Sequence, residues 1–354
     1  MRPTQIVGLH HQWPTDKAMD THRRQTMHIP NRRKFVLAAA MASAATIIPP
    51  KAVMAQLIGD QSTIRLVVPF SAAGPTDFIA RLFAQALSEE LKATVVVENK
   101  AGASGNIGTQ FVVDAPAEGT MLVHTTAAMQ AVNPILYPGQ RFDPAKDLVP
   151  IGITGSLANV LVVHPDSGVK TIEDLIKKGK EKELTFATFG PGTSPHIYGE
   201  LLRGLTGIKA IPIAYKGSGN AKADMLAGRI DFMFDSMTTA VTTVEGGQLV
   251  GLAITSQERS ALLPNVPTLK EKGYGKSNLN FWFVLQASAK TPPETVKRLR
   301  LAVAKAAQNP AYRKGVAERG VDPFTVPADE VERFVREDTE VWRKAVVEMG
   351  IKAE

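Results

Sequence analysis

The sequence predicts an α/β protein with mainly parallel sheets. Two patterns point there: short apolar, β-branched runs alternate with helix-period segments, and Gly/Pro/Asn clusters follow several of the runs. Length is the third observation. Nearly 300 of the 354 residues remain beyond the N-terminal segment, enough for two domains. Ile64, Leu66, Val67 and Val68 form the first apolar run, ended by Pro69, and predict a strand over Ile64–Pro69. Small residues Ser71–Gly74 make a loop, and Pro75-Thr76-Asp77 opens a helix expected over Asp77–Leu91. Further strands are predicted at Thr94–Glu98, Met121–Thr125, Leu157–His164, Leu184–Thr188, Ala210–Ala214, Phe232–Asp235, Gly251–Thr255 and Trp282–Gln286. The interleaved helices are Ile107–Ala115, Thr171–Lys182, Pro195–Gly207, Ser218–Ala227 and Pro293–Ala307. The tail, Asp329–Met349, is apolar at Val331, Phe334, Val335, Val341, Trp342 and Val346, a helix period. No repeat or low-complexity linker divides the chain, so any division must come from strands crossing between lobes.

The N-terminus reads as an export signal. Asn31-Arg32-Arg33-Lys34 runs into an apolar, Ala-rich stretch from Phe35 to Ile48, Pro49-Pro50 breaks it, and Val53-Met54-Ala55 supplies small-residue cleavage before Gln56. The Arg pair resembles a twin-arginine signal, and the apolar stretch is too short to span a bilayer. Met27 is an alternative start. Removing residues 1–55 takes away eight basic and two acidic residues, leaving 33 and 32, so the full chain's +7 overstates the exported protein. Nucleic-acid binding loses its support. With no cysteine and only His124, His164 and His196 remaining, thiolate chemistry, disulfides and a zinc site are excluded, and no metal or cofactor is expected.

Strand, small-residue loop and helix start in Ile64–Arg81 together make an anion pocket. Free backbone N–H groups and the positive end of the helix dipole converge there. Ser71, Ala72, Ala73 and Gly74 carry little side chain to block approach, and Pro75 at the first helical position sacrifices no hydrogen bond. The loop holds no Lys or Arg, so backbone dipoles must hold any anion. Asp77 is either an early-helix acid satisfying the dipole or a ligand contact, and Arg81 reads as its ion-pair partner. Asn99–Gly108 has glycines at 102, 105 and 108, which is neither G-x-G-x-x-G nor a Walker loop. It reads as a turn feeding a helix.

A second helix start lies at Thr193-Ser194-Pro195. Two opposed helix starts would let one anion bridge two lobes, which gives closure a cause. A Ser194/His196 nucleophile pair is disfavoured: the two residues diverge, there is no G-x-S-x-G elbow, and no acid orients the imidazole. Tyr215 presents its hydroxyl to a cleft or simply packs. Asp235 would repel an anion, so it is expected to accept from a ligand donor, a water or the hinge backbone.

VVPFSAAGPTDFIAR, VVVENKAGASGNIG, AVNPILY with FDPAKDLVPIG, FATFGPGTSPHIYGELL, IPIAYKGSGNAKADMLAGRIDFMFDS, LAITSQERSALLPNVPTLKEKGY and VWRKAVVEMGIK resemble, in order, the substrate-binding receptors of tripartite tricarboxylate transporters. The resemblance implies a two-lobed periplasmic-binding-protein (type II, Venus-flytrap) fold, each lobe a mainly parallel sheet flanked by helices. It places 56–158 with 283–354 in one lobe and 159–282 in the other. It also implies no enzymatic activity, a small organic carboxylate as ligand, membrane permease subunits as partners, and a periplasmic monomer. The resemblance makes Ser71, Ala72, Ala73, Gly74, Pro75, Thr76 and Asp77 the carboxylate clamp and matches Thr125, Thr126 and Ala127 to ligand or ligand-water contacts. Gly190, Gly192, Thr193 and Ser194 at the second helix start, with Tyr215 and Asp235, complete the candidate binding residues, and His196 beside them is either a contact or a packed helix residue. The family usually has glycine where this chain has Ala73, and alanine resists positive φ there. A signalling receptor and a periplasmic hydrolase are the alternatives.

Overall fold

The computed structural model describes residues 62–116, 118–215, 218–275, 279–348 and 350. The export signal, its Arg pair, the cleavage site at Ala55 and the alternative start at Met27 lie outside the described residues.

Two sheets organise the chain. The first takes β1 (Thr63–Val68), β2 (Thr94–Asn99), β3 (Met121–Thr126), β4 (Leu148–Leu157), β10 (Trp282–Ser288) and β11 (Val321–Asp322), in the order β11-β4-β10-β3-β1-β2. The second takes β5 (Asn159–Val163), β6 (Leu184–Thr188), β7 (Ala210–Ala214), β8 (Phe232–Ser236) and β9 (Val250–Ile254), in the order β7-β6-β8-β5-β9. β1, β2 and β3 pair parallel, as do β6, β7 and β8. β10 runs antiparallel to both its neighbours in the first sheet, and β5 does the same in the second. The sheets are therefore mixed: each carries a reversed strand beside a crossing between sheets.

The helices are α1 (Pro75–Leu91), α2 (Asn106–Val113), α3 (Ala127–Ala131), α4 (Asn133–Leu136), α5 (Pro144–Asp147), α6 (Ile172–Glu181), α7 (Ser194–Thr206), α8 (Ser218–Leu226), α9 (Met237–Glu245), α10 (Pro293–Ala306), α11 (Pro310–Ala317) and α12 (Val331–Glu348). α6 opens with a capping box, in which Thr171 and Asp174 satisfy each other's backbone N–H groups. Close packing fixes other choices. A Cβ on Gly199 of α7 would lie 2.2 Å from the Phe186 ring, which stacks on Phe232 at 5.3 Å. On α12, Val331, Val335, Trp342 and Val346 are buried at helical spacing while Val341 and Val347 face out.

Seven elements lie outside the predicted pattern: β4, β11, the short helices α3, α4 and α5, and the longer α9 and α11. β4 contains Pro150, Gly152 and Gly155, which disguise it as a loop. Gly152 is needed because Val303 of α10 lies 2.2 Å from where its Cβ would be. α9 is rich in threonine and valine, whose propensity favours strands, and α11 lies past the end of the predicted Pro293–Ala307 helix.

The crossings position the site. β4 ends at Leu157 and β5 begins at Asn159, so the outgoing crossing between the sheets is the single residue Ala158. β4 runs with β1–β3, and β5 runs against β8. The carboxyl edges of the two sheets therefore face each other across this joint. Leu157 N donates to Phe281 O at 2.9 Å, which binds the outgoing crossing to the returning one. Tyr198 of α7 donates to Leu279 O at 2.7 Å, Trp342 donates to Asn280 O at 3.2 Å, and the Trp282 indole donates to Asp338.

Candidate functional site

The first loop leaves β1 at Val68 and enters α1 through Gly74, with Pro75 in the first turn. The first intrahelical bond runs from Phe78 N to Gly74 O, so the Thr76 and Asp77 N–H groups point out of the helix start. Ser71, Ala72 and Ala73 are exposed. Gly74 has φ −83°, open to any residue, and an added Cβ would make only ordinary contact with Ser71 O. Its smallness clears the face of the loop.

Ala73 departs from expectation. It adopts φ +64°, the left-handed conformation that alanine resists. The compensation comes from Asp77. Its Oδ2 accepts from Ala73 N at 2.9 Å and from Arg81 Nε at 3.0 Å, while Oδ1 accepts from Asn99 Nδ2 at 2.9 Å. Asn99 also donates to Phe70 O, so the end of β2 braces the same loop. Burial pushes the Asp77 carboxyl up, but the Arg81 guanidinium, the Ala73 N–H and the Asn99 amide outweigh it and hold it below its usual value. The carboxylate is engaged in shaping the loop.

The second loop has the same construction. It leaves β6 at Thr188 and enters α7 through Thr193, with Pro195 in the first turn. Gly190 and Gly192 have φ +105° and +82°. Thr193 Oγ1 donates to Gly190 O at 2.7 Å, and His196 Nδ1 accepts from Gly192 N at 3.3 Å. In each loop a side chain from the first helical turn accepts the N–H of a left-handed residue four positions earlier: Asp77 from Ala73, His196 from Gly192. That bond engages the His196 Nδ1 with the loop backbone, and the Ser194 hydroxyl accepts from Asn159 Nδ2 at 3.3 Å.

The remaining candidates each make contacts within the protein. Thr125 Oγ1 donates to Gln286 Oε1 at 2.6 Å and accepts from Gln130 at 2.9 Å, in a buried network joining β3, α3 and β10. Thr126 caps α3 by accepting from Met129 N, and Ala127 is buried in its first turn. Beside them His124 is fully buried, stacks on Phe283 and lies 2.8 Å from Thr154 Oγ1. Burial pushes its pKa down to about 4. Tyr215 donates to Asp224 Oδ2 at 2.9 Å. Asp235 is fully buried: Oδ1 accepts from Thr239 Oγ1 at 2.7 Å, and Oδ2 lies 3.2 Å from Lys222 Nζ. Lys222 also donates to Thr239 O at 2.8 Å, tying α8 to α9.

The strand-end Gly/Pro/Asn clusters Asn99–Gly108, Asn133–Pro138 and Gly190–Pro195, which the sequence offers as candidates for one shared site, supply the residues that join the two edges. Ser104 Oγ donates to Pro191 O at 2.7 Å, and Tyr137 OH lies 2.8 Å from Ser104 Oγ. Asn133 Nδ2 donates to Ser104 O at 3.0 Å. These residues come from loops and a short helix of the first sheet and reach the second loop across the joint. No motif specifies the contacts themselves, since Pro191 lies 87 residues from Ser104 and 54 from Tyr137. Among the described residues no group of His, Asp or Glu side chains is placed to hold a metal, and no helix is long and apolar enough to cross a membrane.

Comparison with known proteins fits this architecture. The family described as tripartite tricarboxylate transporter family receptor matches residues 79–351. Protein BugT of Bordetella pertussis is 34% identical over 292 residues, covering 82% of this chain and 90% of BugT. A solved periplasmic transporter superposes with a TM-score of 0.76 at 32% identity, covering 83% of this chain and 99% of that one. Rpa4515 of R. palustris, solved with adipate, gives 0.77 at 29% identity, again covering 83% and 99%.

Proposed function

Because the chain belongs to the tripartite tricarboxylate transporter receptor family, we propose that it is an exported receptor that closes two lobes over a small organic carboxylate. It then delivers that guest to the membrane permease of a tripartite tricarboxylate transporter. In this reading residues 56–158 and 283–354 form one lobe and 159–282 the other. Residues 1–55 direct export and are removed near Ala55, and the protein works in the periplasm as a monomer.

The observation that carries the reading is the pair of matched loops. Each ends a parallel strand at a facing sheet edge, opens a helix with proline in its first turn, and holds a left-handed residue by a side chain four positions on. Neither Ser71–Asp77 nor Gly190–Ser194 contains a cation. A carboxylate there meets oriented N–H groups and two helix dipoles. Such hydrogen bonds are strong because one partner is charged, yet they avoid the desolvation of a buried ion pair, which suits a receptor that must release its cargo. The contacts expected are the backbone of Ser71, Ala72, Gly74 and Thr76, and the backbone and hydroxyls of Thr193 and Ser194. Rpa4515, a relative in fold and sequence, was solved with adipate, which supports a carboxylate guest.

Thermal-shift screening of residues 56–354 against aliphatic mono-, di- and tricarboxylates, amino acids and aromatic acids tests the reading. A specific acid at about a hundred times its Kd should stabilise the fold by about 2.7 kcal/mol. Indifference to the whole panel, or turnover of simple esters, would count against a receptor.

A further inference from the structure

We infer that Ser104, Tyr137 and Asn133 are positioning residues that seat the second loop against the first sheet and hold the two edges shut even without a guest. The inference rests on the receptor reading only for its consequence, since the contact itself is between protein groups. Ser104 has one hydroxyl proton and gives it to Pro191 O at 2.7 Å. Tyr137 must then donate to Ser104 Oγ, at 2.8 Å, which makes a relay from Tyr137 through Ser104 to Pro191. Tyr137 OH also lies 3.4 Å from Pro191 O.

The clasp is built for its position. Ala103 and Ser104 both adopt left-handed φ, +46° and +49°, a conformation that side chains resist unless neighbours hold it. Asn133 holds this one. Its Nδ2 donates to Ser104 O at 3.0 Å and to Asn106 Oδ1 at 2.7 Å. The Asn133 Oδ1 is buried without a hydrogen-bond partner and lies 2.9 Å from where a Cβ on Gly192 would be. Residue 192 is therefore fitted against Asn133, and glycine is the residue that allows it. Pro191 and Gly192 lie immediately before Thr193 and Ser194, so the clasp fixes the second helix start where a guest would meet it.

A contact that stabilises the shut form with and without guest must slow both entry and exit. Losing one neutral hydrogen bond of this kind corresponds to about a three- to tenfold change in the open–shut ratio. The chain has no cysteine, so Gln85→Cys on α1 and Leu205→Cys on α7 accept paired spin labels cleanly. Double electron–electron resonance on the ligand-free labelled protein should show a short-distance, shut population. Ser104→Ala and Tyr137→Phe should each cut the shut-to-open ratio about three- to tenfold. Gly192→Ala should lower the ratio too, since its methyl would meet Asn133 Oδ1 and alanine resists the φ of +82°, and Asn133→Ala, which releases Ser104 O, should lower it on its own. A single open population in the unsubstituted labelled protein, or distances unchanged by Ser104→Ala, overturns the inference whatever acid the protein binds. With adipate, glutarate or another acid positive in the thermal screen, Ser104→Ala should raise both association and dissociation rates and move the affinity less than either. An affinity change carried by association alone also overturns it.

Discussion

Replacing Asp77 with alanine tests how the first loop is held. The side chain accepts from Ala73 N, Asn99 Nδ2 and Arg81 Nε. Arg81 is half exposed, so its pairing adds little to stability. Asn99 retains Phe70 O, and Arg81 still donates to Asn99 Oδ1. The Ala73 N–H has no other acceptor in place. One fully lost bond to a charged acceptor and one weakened bond come to about 2–4 kcal/mol. At about 2–4 °C per kcal/mol for a chain of this size, the melting temperature should drop by roughly 5–15 °C. Affinity should fall separately. Ala73, released from φ +64°, must be driven back into the left-handed region on binding, at a cost of about 1–2 kcal/mol or about five- to thirtyfold in Kd. Ala73→Gly in the Asp77→Ala background should recover part of this, because glycine takes the left-handed region without penalty. Calorimetry and titration of residues 56–354 with the best acid from the thermal screen provide both numbers. Because the folded Asp77 carboxyl lies below its usual 3.8, its stabilisation is complete above that pH and fades as the pH falls through the lower folded value. Asp77→Ala should lose this acid dependence. Unchanged melting together with affinity within threefold of wild type would refute the bracing role.

Lys222→Met should destabilise the fold by about 3–5 kcal/mol at neutral pH, since it strands the buried Asp235 carboxylate; Asp235→Asn in that background should restore much of the loss in denaturant titration. Gly199→Ala should cost about 1–3 kcal/mol by forcing a methyl into the Phe186 ring, read as a shifted denaturation midpoint. Burial pushes the Asp338 carboxyl up despite the indoles of Trp282 and Trp342, so the native protein should lose stability as pH rises from 3.8 through the raised folded value. Asp338→Asn keeps an acceptor for Trp282 without the buried charge, and its melting temperature should equal or exceed wild type at neutral pH, with the advantage disappearing in acid.

The first strand, its loop and α1 were legible because local signals agree: a β-branched run, small residues, then proline and an acid at a helix start. The second loop was legible for the same reason at Thr193-Ser194-Pro195. β4 was hidden because its glycine answers a tertiary demand, the side chain of Val303, which no local pattern announces. Within the site, the expected ligand hydroxyl of Thr125 meets a residue 161 positions away, Gln286, and Tyr215 meets Asp224. Residue type and strand-end position were readable, but the competition for each hydroxyl was not. The same holds for Ala73, whose conformation is decided by an acceptor in the next helical turn rather than by its own preference.

The joint at Ala158 ties the two halves to a common phase. Successive residues of a strand face opposite sides, and β4 hands over to β5 through one residue, so each sheet's inside and outside are counted from the other's. Inserting one residue there would turn β5 over and exchange the faces that Val160 and Leu161 present. Length variation among relatives should therefore accumulate in surface turns, and this junction should keep its count.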